Sequence, residues 1–327
     1  MKSIRRHSAR LFTAAVALLI IAAAVCGCSG STDCPQTPPP ASCTPAPTPV
    51  PTPTCTVPTA DGADGTDKTI SKTLYYLTDE GYLLPVTAAV PQQAGIAKAC
   101  LAKMTDSEET RAALSKNGLK AVIPQGTEVQ ISIQNGEARV NLLNLPVMPD
   151  YDSEQQLFAA IVNTLTEFDS IETVSVFLNG CCDTTANGSL PPQKHGKYAI
   201  NVENAEIATA GSAKPLTLYF PNESGSLMIP VTRYAEEDSN LYACIQQLAA
   251  GTTLHGLRRC FPENTLVLGA VIENGVLTVN LSSDFETVAK DSGLLSLATQ
   301  SVLLTALPYG SINEVHFAVN GVPLNID

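Results

Sequence analysis

Ten cysteines and four histidines are the side chains here best suited to metal or redox chemistry, and their spacing decides whether that chemistry is available. Cys181 and Cys182 are adjacent, an arrangement open to thiol exchange or a soft metal. Yet no C-x-x-C pair occurs, and no His or carboxylate stands near them at zinc-ligand spacing. The run His255-Gly-Leu-Arg-Arg-Cys260 offers one imidazole and one thiol, too few for a tetrahedral site. His7, His195 and His316 are scattered. Beyond the N-terminal segment there is no G-x-S-x-G elbow, no H-E-x-x-H and no phosphate-binding glycine loop. Carboxylates such as Glu236, Glu237 and Asp238 fall in polar stretches where solvated charge is the ordinary state, so no acid–base pair stands out. Asp61, Asp64 and Asp67 recur, but not at EF-hand spacing, and read as a solvated linker. No catalytic, cofactor-binding or metal-binding residue is assigned, no cofactor is expected, and the expectation is a protein that is not an enzyme.

The bulk composition narrows the partners. A net charge of −12, with no basic cluster outside the first ten residues, argues against nucleic acid, which needs clustered Lys and Arg. An apolar content of 44% is ample for buried cores. Trp is absent and aromatics make up 5%, which argues against carbohydrate binding on stacked aromatic platforms, with Tyr the remaining candidate.

The N-terminus reads as an address. Lys2, Arg5, Arg6 and Arg10 precede an apolar run, "LFTAAVALLIIAAAV", which is short of the roughly 20 residues a spanning helix needs. The run ends in "VCGCSG", which resembles a bacterial lipobox with Cys28 as the lipidated residue. Cys26 is the poorer candidate, because Val25 would sit directly before the cut, where a small residue is needed. The alternative is a signal anchor that stays uncut. Two acyl chains on Cys28 would anchor stably, where one is marginal. Residues 1–27 are thus expected to be a lipoprotein signal peptide. Residues 28–70 form a linker, rich in Pro and Thr over 35–58, that favours extended polyproline II. Cys34, Cys43 and Cys55 lie in it, and no disulfide connectivity follows from the sequence.

Beyond the linker the chain repeats itself. "IQNGEARVNL" (133–142) and "IENGVLTVNL" (272–281) share an Asn-Gly pair flanked by alternating apolar residues, the signature of a hairpin closed by a type I′ turn. The alternation puts Val129, Ile131, Ile133, Ala138, Val140 and Leu142 on one face of the first hairpin. In the second it does the same for Leu268, Ala270, Ile272, Leu277, Val279 and Leu281. Upstream, "LYYLTDEGYLLPVT" parallels "LYFPNESGSLMIPVT", and each leads into a helical stretch carrying Cys100 or Cys244 at matching places. The match favours small core residues over nucleophiles. Downstream, a helix over "DSEQQLFAAIVNTLTEF" is expected to start with a capping box, Ser153 with Gln156. It buries Leu157, Ala160, Ile161, Thr164, Leu165 and Phe168; its counterpart buries Ala298, Ser301, Val302, Thr305, Ala306 and Tyr309. Each unit closes on a strand and an Asn-Gly, "VSVFLNG" and "VHFAVNG". The expected architecture is α+β: two tandem β-β-α-β-β-α-β domains over 71–180 and 215–327. A connector over 181–214 is expected to be mostly loop, with one strand near "YAINV".

The stretches "TLYYLTDEGYLLPVT", "VNLLNLPVMPD" and "EQQLFAAIVNTLTEFDSIETVSVFLNG", with their second-copy equivalents, resemble the GerMN-domain family. The second copy departs from them, with "SVLLTALPY" where the first has "IVNTLTEF". The resemblance implies small α+β domains similar to ring-building motifs, in a non-enzymatic lipoprotein of sporulation or spore germination. It would sit on the extracytoplasmic face of the bacterial cell membrane, extending to the envelope between mother cell and forespore. The partners implied are membrane lipid through Cys28, further copies of itself and proteins of an envelope complex. Two other readings stay open: an envelope module binding peptidoglycan or germinant-related molecules, and a cell-wall hydrolase.

Overall fold

Alternating apolar residues start the first repeat, and the computed structural model, which describes residues 68–208, 213–235 and 240–324, turns them into a hairpin. β1 (Thr69–Thr78) pairs antiparallel with β2 (Leu83–Pro91), Leu74 opposite Val86, and its other edge takes the short β3 (Leu119–Lys120). Between them lie α1 (Ile96–Lys103), which buries Ala97, Cys100 and Leu101, and α2 (Glu108–Ser115), capped by Ser107. α2 and β3 are additions to the expected plan. All described residues fall within one compact unit, Cys43–Asp327. Cys28, the signal segment, the linker cysteines and Asp61, Asp64 and Asp67 lie outside the described residues.

β4 (Glu128–Gln134) and β5 (Glu137–Leu143) form the expected first hairpin, with Val129 opposite Leu142 and Ile131 opposite Val140. Asn135 and Gly136 close it at φ of 51° and 79°, the left-handed pair that a type I′ turn requires. α3 (Tyr151–Thr166) then crosses over to β6 (Thr173–Leu178), which lies parallel to β5. The N-cap of α3 is Asp150, whose carboxylate accepts from Ser153 N–H at 2.8 Å, and not Ser153 as the sequence suggested. Gln156, the other half of the expected box, instead donates to the carbonyl of Gly81 at 2.6 Å. An Asp one turn earlier outcompetes the box because a carboxylate at the helix N-terminus also meets the helix dipole.

The second repeat follows the same order. β7 (Lys214–Pro221) and β8 (Met228–Ala235) pair antiparallel, and α5 (Leu241–Ala249) follows them; α4 (Ala205–Ala208) is a single turn in the connector. β9 (Val267–Glu273) and β10 (Val276–Leu281) turn at Asn274 and Gly275, at φ of 52° and 81°. A short 3-10 turn, α6 (Glu286–Ala289) and α7 (Ser292–Ala306) lead to β11 (Glu314–Val319), parallel to β10, with β12 (Val322–Pro323) on its far edge. One expected core residue moves. β9 pairs Gly269 with Asn280 but Val267 with Leu281, so Leu268 is the extra residue of a bulge. Val267 takes the buried place and Leu268 is 47% exposed.

The connector also departs from expectation. After the Asn179-Gly180 turn, Cys181 pairs back onto Leu178, and Val176 N–H donates to Pro192 at 2.8 Å. Val174 and His195 then exchange two backbone bonds of 2.9 Å. Residues 181–195 therefore cover the outer edge of β6, as β12 covers β11. The segment "YAINV" meets the second repeat through a single bridge, Val202 to Thr232, and forms no strand. It lacks a ladder because its hydrogen bonds are divided between the Asn163 side chain, the Thr232 backbone and the reach of its own Asn201 amide to Leu83 and Pro230.

Candidate functional site

The residues that the repeats share are spent on holding the chain together, and the bonds match one for one. Thr164 Oγ1 accepts from Tyr75 N–H at 3.2 Å, and Thr305 Oγ1 accepts from Tyr219 N–H at 3.0 Å. The Asn of each "VNL" frame accepts from the Gly of the closing turn: Asn141 from Gly180 and Asn280 from Gly321, both at 2.8 Å. The Asn-Gly hairpin turns dock alike, Gly136 O taking Glu172 N–H and Gly275 O taking Asn313 N–H, again both at 2.8 Å. Cys100 and Cys244 are buried, as their matched placing suggested, and burial pushes each thiol up to about 11. These are structural locks, not reactive groups.

The candidate functional site is the seam where the two repeats meet, and three asparagines build it. Asn163 on α3 donates to Tyr198 O at 3.1 Å and accepts from Tyr198 N–H at 2.7 Å. Asn201, at φ 50°, accepts from Leu83 N–H and donates to both Leu83 O and Pro230 O at 2.7–2.9 Å, joining the edge of β2 to the edge of β8. Asn204 grips Tyr234 in the same two-way fashion, at 2.7 and 2.8 Å. A carboxamide carries the same donor and acceptor as a peptide group, so each Asn acts as one rung of a missing strand.

Charge and packing close the seam. Glu203 and Arg233 form a buried pair, their side chains 5% and 12% exposed. Arg233 also donates to the carbonyls of Gln247 and Gly251, while Glu203 accepts from Thr252 and Thr253. Burial alone would raise the Glu203 carboxyl, but the Thr253 and Arg233 hydrogen bonds outweigh it and hold it below its ordinary value. Leu227 and Ile229 of the second repeat lie within the core of the first. The two β-hairpin tips touch through Asn222, which donates to Glu80 Oε1 at 2.9 Å, and Tyr82 donates to His255 O at 2.6 Å. A cleft of ≈ 370 Å³ beside them is lined by Asp79, Glu80, Asn222, Glu223, Ser224 and Ser226.

The histidines stay apart. His195 stacks on Tyr198 at 3.8 Å, His316 meets Glu314 on an exposed strand face, and His255 contributes its carbonyl to the seam. Cys260 is buried and Cys181 is exposed. Among the described residues, no group of three or more His, Cys, Asp or Glu could hold a metal ion, and no helix is long and apolar enough to cross a membrane. Sequence reasoning missed Asn163, Asn201, Asn204, Glu203 and Arg233, because each acts on a residue about 14 to 118 positions away. The available signal was that Asn163 interrupts an otherwise apolar helix surface.

Comparisons with known proteins match this plan. A family model described as "Germane: Sporulation and spore germination" matches residues 73–181 and 217–325. The chain is 28% identical over 271 residues to the spore germination protein GerM of Bacillus subtilis (strain 168), spanning 79% of this chain and 74% of that protein. The solved tandem GerMN domains of the sporulation protein GerM from Bacillus subtilis are 26% identical, with a TM-score of 0.57. That match covers 78% of this chain and 92% of the other, so the tandem α+β architecture is common to both.

Proposed function

The chain belongs to the Germane family of sporulation and spore germination, and on that premise we propose that it is a non-enzymatic lipoprotein acting as a structural or assembly component of an envelope complex. The observation that carries this reading is the matched set of locks. The polar residues common to both repeats bond to backbone within their own repeat, so what was duplicated is a scaffold. The asparagine seam then makes the pair a single stiff body, suited to hold partners at a set geometry. Anchoring through Cys28 at the extracytoplasmic face of the cell membrane is supported by the lipobox sequence, and the Pro-rich linker gives the body reach from that surface.

The test is the yield of heat-resistant spores from a strain lacking this gene, beside one carrying Cys28→Ala. The expected result is a large loss in the deletion, shared by Cys28→Ala, with the variant protein released from the membrane fraction. Normal spore yield and normal germination in both strains would overturn the proposal.

A further inference from the structure

If shared positions mark the scaffold, the positions where the repeats differ on the same open surface are where a second property can reside. The outer face of the β4–β5–β6 sheet carries Gln130, Ser132, Arg139 and Phe177, around a groove of ≈ 390 Å³ that Asn141 and Gly180 complete. By register with the turn residues, the second repeat has Gly269, Val271, Thr278 and Ala318 at those places. Asn141 and Gly180 have identical counterparts, Asn280 and Gly321, and all four are committed to their closing turns. The groove's guanidinium, amide, hydroxyl and aromatic ring are therefore not required by the fold, since the second repeat folds without them.

Arg139 is the pointed case. In a chain of net charge −12, it has no carboxylate partner among the described residues. Glu137, the acid nearest on its strand, accepts instead from Ser175 Oγ at 2.7 Å. The guanidinium carbon lies over the Phe177 ring, 4.9 Å from its centre, and the Arg139 side chain is exposed along the groove. Ser132 stands directly opposite Arg139, and Gln130 opposite Asn141, so hydroxyl and amide groups flank the cation. The groove's volume falls in the range of small-ligand clefts, about 300–1,000 Å³.

We propose that this groove binds a sugar bearing a carboxylate. Arg139 takes the carboxylate, Ser132 and Gln130 meet ring hydroxyls, and the Phe177 ring flanks the C–H face of the sugar. The general scarcity of aromatics does not oppose this, because one ring beside one guanidinium suffices. The proposal goes beyond the structural role and does not rest on it.

The experiment is calorimetric titration of the full-length protein in detergent with three probes. They are N-acetylmuramic acid, N-acetylglucosamine (the same ring without the lactyl carboxylate) and N-acetylglutamate amide (a carboxylate without the ring). N-acetylmuramic acid is expected to bind about tenfold to a hundredfold more tightly than either control, the range of a charge-assisted hydrogen bond. Arg139→Gln should remove that margin without lowering the melting temperature, while His316→Gln on the corresponding face of the second repeat should leave it intact. Absence of binding at millimolar concentration overturns the proposal. So does equal binding of the two sugars, equal binding of the glutamate probe, or an unchanged affinity in Arg139→Gln.

Discussion

α3 and α7 occupy the same place in the two repeats, yet α3 is buried on nearly every side and α7 along one face. On α3 the core-facing Leu157, Ala160, Ile161, Thr164 and Leu165 are buried, with Glu154 one turn earlier on the same stripe, and so are Phe158 beside them and Ala159, Val162 and Asn163 on the remaining sides. On α7 burial is confined to Leu295, Ala298, Ser301, Val302, Thr305 and Ala306. The cause lies outside both helices. After β6 the chain folds back over α3, where Thr185 and Asn187 donate to Glu154 at 2.5 and 3.1 Å and Tyr198 is held by Asn163. After β11, β12 covers a strand edge instead of the helix. The sequence points the other way, since "LLSLATQSVLLTA" is the more apolar of the two helices. A helix's own composition thus says less about its burial than the path of the segment that follows it.

The largest test of that contrast removes a buried ring from α3, beside its core-facing stripe. Phe158→Ala should cost about 3–5 kcal/mol by urea denaturation, whereas Leu303→Ala, half-buried on α7, should cost about 1 kcal/mol. Equal losses would break the comparison. A smaller effect is expected at the clasp itself. Asn163→Ala strands both the N–H and C=O of Tyr198, at a cost of about 1–3 kcal/mol. Amide exchange at Tyr198 should accelerate, while Leu304→Ala, at the matching place on α7, should leave the second repeat's exchange unchanged.

The smallest effect concerns the cysteines, where the repeats should agree. Burial raises the thiols of Cys100, Cys244 and Cys260 from 9.0 to about 11, opposed at Cys100 by the charges of Lys72 and Lys103. A thiol raised in the folded state contributes stability that is complete below about pH 9 and is lost as pH rises through about 11. At pH 8, iodoacetamide should label exposed Cys181 in the native protein and leave all three buried thiols unmodified, by peptide mapping. Labelling of Cys100 without Cys244 would show that the matched helices differ in their packing.

Much of each repeat was legible because it is local. The Asn-Gly turns demand positive φ at neighbouring positions, and alternation then sets which residues face inward. The N-cap and the β9 register were misread for related reasons. Asp150 and Ser153 are both good caps, and only the arriving backbone selects between them. The bulge at Leu268 inserts one residue, and with a side-chain period of two, one residue exchanges inside for outside.

The seam was not legible at all. Nothing near Asn201 in the chain announces that its amide will bridge Leu83 to Pro230, since a lone Asn in a polar stretch is ordinarily a turn residue. The groove was half legible: the alternation that turns Ile131, Ala138 and Val140 to one face turns Gln130, Ser132 and Arg139 to the other, but Phe177 joins them only through the parallel pairing of β5 with β6. The sequence by itself determined the repeat, its turns and its inward faces, because hairpin geometry and apolar periodicity act over a few residues. The tertiary structure alone decided how the repeats lock together, which helix is enclosed and which ring Arg139 lies over, because those depend on groups far apart in sequence meeting where no local rule reaches.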